Sequence, residues 1–269
     1  MSPFFAHKIS LGQNFLRNSH VLSASLSAGA LTSDDTVLEI GSGQGALTAR
    51  LLESPAACVH AMEIDERLRP WLEPLAEQFA GRCRLHWGDA LKFDFSTLSP
   101  LPHKIIANIP YSITSELIWK ILAEAVPSGV QKIVLLIQKE AAERLNAPLR
   151  TKKRGPLGVT LELMGKMRFL MNVPPHCFIP APKVWSTLLC IDICDNRFLA
   201  SDGRWRTFIT SAFARRRKKL LNVLPAALLP RENQERLFGA LNLPLSARAE
   251  ELTALQWLQL YRLTARELR

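Results

Sequence analysis

The residues best suited to chemistry in this chain are Asn108-Ile109-Pro110-Tyr111. The amino group of an adenine ring is a poor nucleophile, because its lone pair is delocalised into the ring. A side-chain amide oxygen and a backbone carbonyl that accept its two hydrogens hold that lone pair toward an electrophile. Asn108 offers the first acceptor and the Ile109 carbonyl the second. Tyr111 adds a face on which a base can stack, and Pro110 stiffens the turn between them. Four residues alone also fit an ordinary turn after a strand, so the elements that position them decide the matter.

Those elements read as the start of an open α/β sheet. Residues 36–40, Thr-Val-Leu-Glu-Ile, have the composition of a buried strand and run straight into Gly41-Ser42-Gly43-Gln44-Gly45-Ala46, with a helix expected over 46–52. Strand, glycine turn and helix N-terminus form a nucleotide-cofactor site, where glycines let a ligand approach the backbone. The glycine string fits both the dinucleotide pattern and that of methyl donors. A second strand over 58–62 ends in Glu63, where a ribose-hydroxyl acceptor belongs. A third, 83–87, ends in Gly88-Asp89-Ala90, and Asp89 can accept from an adenine amino group or cap a helix. A fourth, 104–107, delivers Asn108. Four strand ends thus aim at one crevice, and hydride transfer gives no reason for the last two.

This ordered set resembles the ribosomal-RNA adenine N6-dimethyltransferases, which use S-adenosylmethionine. The family includes housekeeping small-subunit enzymes and macrolide-resistance large-subunit enzymes. The resemblance begins at Leu11-Gly12-Gln13-Asn14-Phe15-Leu16 and continues through the glycine loop, Glu63, Gly88-Asp89-Ala90 and residues 108–111. It resumes at Gln138-Lys139-Glu140 with Arg144-Leu145, and at Cys177-Phe178-Ile179-Pro180-Ala181-Pro182-Lys183-Val184. It implies cofactor contacts at Gln13, Asn14, Leu16, Gly41, Gly43, Gly45, Glu63, Asp89, Ala90 and Asn108, and base stacking by Phe178 opposite Tyr111. Two departures stand out. Ser112 follows the tetrapeptide where the family usually has Asn, and Arg154 occupies a position where many relatives carry an aromatic residue.

Composition bounds the class. At 269 residues with 48% hydrophobic content the chain holds one sizeable core and a smaller module. No apolar run is long enough for a membrane helix, and residues 1–8 lack the form of a signal peptide, so a cytoplasmic location is expected. The cysteines at 58, 83, 177, 190 and 194 show no C-x-x-C spacing and read as buried thiols in a reducing compartment. Cys190 and Cys194 lack a histidine pair that would complete a metal site, so no metal is expected.

The charge is uneven. Residues 196–269 hold 14 Lys+Arg against 6 Asp+Glu, a net of +8, whereas the remaining 20 against 18 leave +2. The sequence therefore predicts an S-adenosylmethionine-dependent catalytic domain over 1–195 and a basic helical domain over 196–269. In the second, an apolar rhythm over 205–213 runs into Arg215, Arg216, Arg217, Lys218 and Lys219, expected to continue the helix. Self-repulsion opposes such a helix unless phosphates neutralise it, which favours RNA backbone contact over a merely solvated face. Lys152, Lys153 and Arg154 form a smaller basic loop assigned to RNA as well. Helices are further expected over 114–124, 139–145, 234–240 and 252–263, with a split between Leu224-Pro225 and Leu229-Pro230. Strands are expected over 132–137, 168–173 and 187–193.

The reading is a Rossmann-like methyltransferase sheet, mostly parallel with one antiparallel edge strand, followed by a small all-α domain. The expected activity is dimethylation of adenosine N6 in small-subunit ribosomal RNA, on the RNA or an assembling subunit, by a monomer. The long basic tail and the Phe-Ile-Pro-x-Pro-Lys-Val loop favour that substrate. Two alternatives stay open: a large-subunit enzyme of the resistance type, and a ribosome-assembly factor whose activity is incidental.

Overall fold

The computed structural model describes residues 12–224 and 231–266. The expectations resting on residues 1–8, on Leu11 and on the proline-bounded stretch 225–230 lie outside them.

The described residues divide into two compact units, one of residues 12–142 and 167–193 and the other of 143–166, 194–224 and 231–266. The chain thus crosses between units three times, where the sequence suggested a single passage near 195. The excursion at 143–166 carries the apolar helix Pro156–Met164, whose residues are almost all buried.

The first unit is built on strands β1 Phe15–Leu16, β2 Thr36–Ile40, β3 Cys58–Glu63, β4 Cys83–Trp87, β5 Lys104–Asn108, β6 Lys132–Gln138, β7 Gly165–Val173, β8 Phe178–Ile179 and β9 Ser186–Ile193. Seven of these form one sheet in the order β4-β3-β2-β5-β6-β9-β7. Neighbours from β4 to β6 run parallel, and β9 is antiparallel to β6 with Gln138 opposite Ser186. β2 and β3 are buried along their whole length, as strands of a parallel sheet covered on both faces must be. β1 and β8 pair separately, antiparallel, with Leu16 opposite Phe178.

Helices α1 Ser19–Gly29, α2 Ala46–Glu53, α3 Arg69–Gln78, α4 Thr114–Lys120 and α5 Lys139–Leu145 follow strand ends or join them. The helix expected over 114–124 divides: α4 gives way to a π-helical turn at Ile121–Ala125, where the Val126 amide reaches back to Ile121. Leu16, Val37, Leu51, Val59, Ile106 and Phe178 belong to one apolar cluster of this unit.

The second unit contains α6 Pro156–Met164, α7 Phe198–Ser201, α8 Gly203–Phe213, α9 Arg231–Ala240 and α10 Ala254–Arg266. α8 buries Trp205, Phe208, Ile209, Ala212 and Phe213 on one face, the periodicity of an amphipathic helix. Trp205 meets Tyr261 edge-on at 5.2 Å, and Phe208 meets Trp257 edge-on at 5.9 Å, both favourable aromatic geometries. The Trp205 indole donates to Thr160 Oγ1 at 3.1 Å.

α8 ends at Phe213, and residues 214–218 are turns and a bend rather than helix. The expected continuation fails for two reasons. Adjacent cations repel one another along a helix. Leu220, fully buried, is drawn into the core, and its amide donates to the Ala247 carbonyl at 2.8 Å. Cys194 is exposed, unlike the other cysteines, and all five are free thiols.

Candidate functional site

The C-terminal ends of β2, β3, β4 and β5 line one crevice, closed on another side by residues 12–15. This is where open α/β sheets bind ligands. β2 contributes Ile40, Gly41 and Gly43; β3 contributes Met62, Glu63 and Ile64; β4 leads into Gly88, Asp89 and Ala90; β5 brings Asn108 to Tyr111.

Two glycines explain the tight passage between β2 and α2. Gly41 has φ +80°, and a Cβ there would lie 3.3 Å from the Asn108 carbonyl oxygen. Gly45 has φ +81° and caps α2, and a Cβ would strike Leu75 at 2.6 Å. Gly45 is therefore fixed by the approach of α3, and it is not among the residues lining the crevice.

Glu63 is buried at the end of β3. One of its oxygens accepts from the Ile64 and Asp65 amides at 2.9 Å each, and the other from the Gly43 amide at 2.8 Å. Burial pushes its carboxyl above the usual carboxylate range, while those amides pull it back. Asp65 next to it is held at about 2 by the Arg67 guanidinium, which it accepts at 2.6 Å. The same carboxylate receives the Gln13 side-chain amide at 2.8 Å, which fixes Gln13 at the rim. Asp89 accepts from the Leu91 amide at 2.9 Å through one oxygen, as a turn-capping residue does.

Asn108 is the best oriented group of the crevice. Its amide nitrogen donates to the Asn14 carbonyl at 3.1 Å. A carboxamide whose NH2 is anchored presents its oxygen in a set direction. The Ile109 amide donates to Leu136 at 3.2 Å, and the Ile109 side chain is buried, so the backbone that carries the Ile109 carbonyl is tied to β6. The Tyr111 hydroxyl shares a 2.7 Å hydrogen bond with Ser186 Oγ at the start of β9. Burial raises the phenol above its ordinary value, so Tyr111 stays neutral.

A second depression shares Phe15, Gly41, Gly43 and Asn108 with the first and is walled by Leu16, Arg17, Gln44, Leu47 and Trp71. Glu39 lines it, fully buried, and accepts from Thr48 Oγ1 at 2.6 Å. Burial pushes its carboxyl up to about 7.

Eleven of the expected residues line the crevice: Gln13, Asn14, Gly41, Gly43, Glu63, Asp89, Ala90, Asn108, Ile109, Pro110 and Tyr111. Three are placed elsewhere. Leu16 faces the second depression, Gly45 serves helix packing, and Phe178 is 2% exposed inside the apolar cluster, opposite Leu16. The β1–β8 pair places Phe178 in this cluster, and it is not among the residues lining the crevice. Phe15, Met62 and Ile64 line the crevice without having been assigned a role. Phe15 lies inside the 11–16 signature, and Ile64, 46% exposed directly after Glu63, carries the signal of an apolar residue left at a strand end.

In the second unit, Arg215, Arg217, Lys218 and Lys219 are exposed, whereas Arg216 is half-buried. Arg216 donates to the Lys152 carbonyl and lies over the Phe213 ring. Lys152 and Lys153 are exposed, and Lys153 pairs with Glu143. Arg154 differs from its expected place on the surface. It is 4% exposed, and its guanidinium donates to the Ala147 and Leu252 carbonyls and to Glu162. It holds the loop to α6 and to the segment before α10, as a buried guanidinium with fixed acceptors does.

A model of the ribosomal RNA adenine dimethylase family matches residues 4–266. The chain belongs to that family. A ribosomal RNA small subunit methyltransferase A of Rubrobacter xylanophilus is 39% identical over 253 residues, covering 94% of this chain and 93% of its own. Among solved structures, a dimethyladenosine transferase from Plasmodium falciparum superposes with a TM-score of 0.77 at 27% identity, over 94% of this chain and 98% of that one. The 23S rRNA methyltransferase ErmE superposes with a TM-score of 0.66 at 26% identity, over 93% and 98%. The chain is thus an enzyme of the rRNA adenine dimethyltransferase type, on a Rossmann-like sheet with an antiparallel strand toward one edge. Among the described residues no helix is long and apolar enough to cross a membrane.

Proposed function

We propose that this enzyme transfers methyl groups from S-adenosylmethionine to N6 of adenosine in small-subunit ribosomal RNA, twice at each nitrogen, acting as a cytoplasmic monomer on the RNA or the assembling subunit. Similarity to relatives named small-subunit methyltransferases supports the choice of substrate. The observation that carries the chemistry is the anchored amide of Asn108, a residue lining the crevice whose nitrogen is committed to Asn14, leaving its oxygen as the acceptor.

The crevice fits S-adenosylmethionine on its donor set. Glu63 retains one acceptor site, on the oxygen that takes only the Gly43 amide, for a ribose hydroxyl, Asp89 retains a second oxygen for an adenine amino group, and Ile40, Met62 and Ile64 supply apolar surface for the ring. Gln13, Asn14, Gly41, Gly43 and Ala90 complete the wall. When bound there, the cofactor would supply an electrophilic methyl on a sulfonium, a good leaving group. Asn108 Oδ1 and the Ile109 carbonyl accept the two N6 hydrogens of an adenosine drawn from its stack and hold the lone pair in line. Tyr111 supports the base on its ring, held by Ser186. Pro110, with φ −55°, keeps the turn open between the two acceptors. The proton lost from N6 passes to solvent. Arg215, Arg217, Lys218, Lys219, Lys152 and Lys153 contact phosphates and add affinity without choosing bases.

Incubation with methyl-labelled cofactor and unmethylated small subunits, followed by nucleoside analysis, tests this reading. It predicts N6,N6-dimethyladenosine, with N6-methyladenosine only as its precursor; label in any nucleoside other than these two contradicts it. The likeness to the 23S enzyme makes large-subunit RNA the second substrate to assay.

A further inference from the structure

Trp185 is half-exposed, at 50%, and forms no hydrogen bond or ring contact through its side chain among the described residues. A large exposed indole without a partner is uncommon, since tryptophan is highly buried on average. Its surroundings are equally unusual. Ile179 at the end of β8 and Val184 in the loop after it are 48% and 43% exposed, and Lys183 lies between Val184 and the prolines.

The backbone at Trp185 is fixed from both sides. Its carbonyl accepts from the Lys139 amide at 2.9 Å, and the next residue, Ser186, pairs with Gln138 and bonds the Tyr111 hydroxyl at 2.7 Å. The indole therefore grows from the strand that holds Tyr111, one residue outside the hydrogen bond that fixes it. Lys139 and Lys183, both exposed, flank this position, with Glu140 the neighbouring carboxylate.

We infer that Trp185 stacks on the base next to the target adenosine, as a second aromatic platform outside the crevice. This rests on the proposed RNA substrate. Removing one adenine from a strand uncovers the face of its neighbour, and an aromatic side chain replaces the lost stack with little dependence on base identity. The lysines on either side meet the phosphates that border that nucleotide. Trp185 is thereby a substrate-positioning residue: it holds the strand with its adenosine out, while residues 108–111 orient the nitrogen.

The test compares the full chain with Trp185→Ala and Trp185→Phe, using unmethylated small ribosomal subunits and S-adenosylmethionine. Trp185→Ala should raise KM for the subunits about tenfold, with kcat within about twofold and KM for the cofactor unchanged. Trp185→Phe should recover most of the loss, because a phenyl ring still stacks. RNA should quench tryptophan fluorescence of the unsubstituted chain more than that of Trp185→Phe. An unchanged KM for subunits in Trp185→Ala overturns the inference while leaving the substrate reading intact. So does an equal rise in both variants accompanied by weaker cofactor binding, which marks a distorted loop. Absence of transfer by the unsubstituted chain overturns the substrate reading and this inference together.

Discussion

The crevice and the basic turn at 215–219 solve opposite problems with polar residues. In the crevice each group is restrained by neighbours before any ligand arrives: Asn108 by Asn14, Glu63 by three amides, Gln13 by Asp65, Tyr111 by Ser186. In the turn, four of five cations are exposed, and only Arg216 is drawn back onto protein. A restrained acceptor stabilises a developing geometry without reorganising, so its loss is felt in rate. An exposed cation contributes through a field that salt screens, so its loss is felt as a graded change in affinity. On the proposed function, the first region serves turnover and the second adhesion to RNA.

Replacing Asn108 by Ala should break the contrast most sharply. Turnover should fall by about two orders of magnitude or more, with cofactor affinity changed by no more than a few fold, as read by single-turnover kinetics and calorimetry. Parallel loss of cofactor binding would reduce Asn108 to a structural part of the crevice.

Arg154 lies in the same basic loop as Lys152 and Lys153 but behaves as a core residue. Arg154→Met should destabilise the protein by roughly 1–3 kcal/mol through carbonyls left without donors, while the salt dependence of RNA binding stays the same. A flattened salt dependence with unchanged stability would return Arg154 to the binding surface.

Neutralising two of Arg215, Arg217, Lys218 and Lys219 should have the smaller, graded effect. The slope of log affinity against log salt should fall in magnitude by about 1.5, with saturating turnover preserved. An unchanged slope would make the run a solvated face and nothing more.

Glu39 gives the finest distinction. Its folded value of about 7 lies above the ordinary 4.5 of a glutamate, so the folded state holds the proton more tightly. Stability from this group is fully present below about 4.5 and is lost as pH rises to about 7. Glu39→Gln should therefore be more stable than the unsubstituted protein above pH 7, the difference shrinking toward pH 5 in thermal unfolding. His86, pushed down to about 4 by burial, works in the other direction: its neutral form favours folding above about 6.5, and that stability is lost as pH falls toward 4. Being common to both proteins, it cancels in the comparison.

The strands that aim at the crevice were legible because a buried parallel strand is mostly apolar, as in residues 36–40, with Thr36 and Glu39 the polar exceptions, and 133–137. The glycine turn and residues 108–111 were legible because their chemistry is local. The helices α1, α3 and α6 were not foreseen. α1 is rich in serine and α6 is buried nearly all round, so neither shows a clean amphipathic stripe, while α3 carries Pro74 inside, which reads as a helix break. Phe178 illustrates the other limit. Its motif marks it as a neighbour of the site, but which way the ring turns depends on the pairing of β8 with β1, some 160 residues earlier in the chain, and no local pattern encodes that. The helix expected through 215–219 failed likewise, because the anchor at Leu220 is a distant contact with Ala247.

The most direct test of the account is to incubate the enzyme and its Asn108→Ala variant with labelled S-adenosylmethionine and, separately, unmethylated small and large ribosomal subunits, then map the label to nucleotide. The account predicts dimethylated adenosine in small-subunit RNA with the unsubstituted enzyme and almost none with the variant. Label confined to large-subunit RNA, or equal label from both proteins, would contradict it.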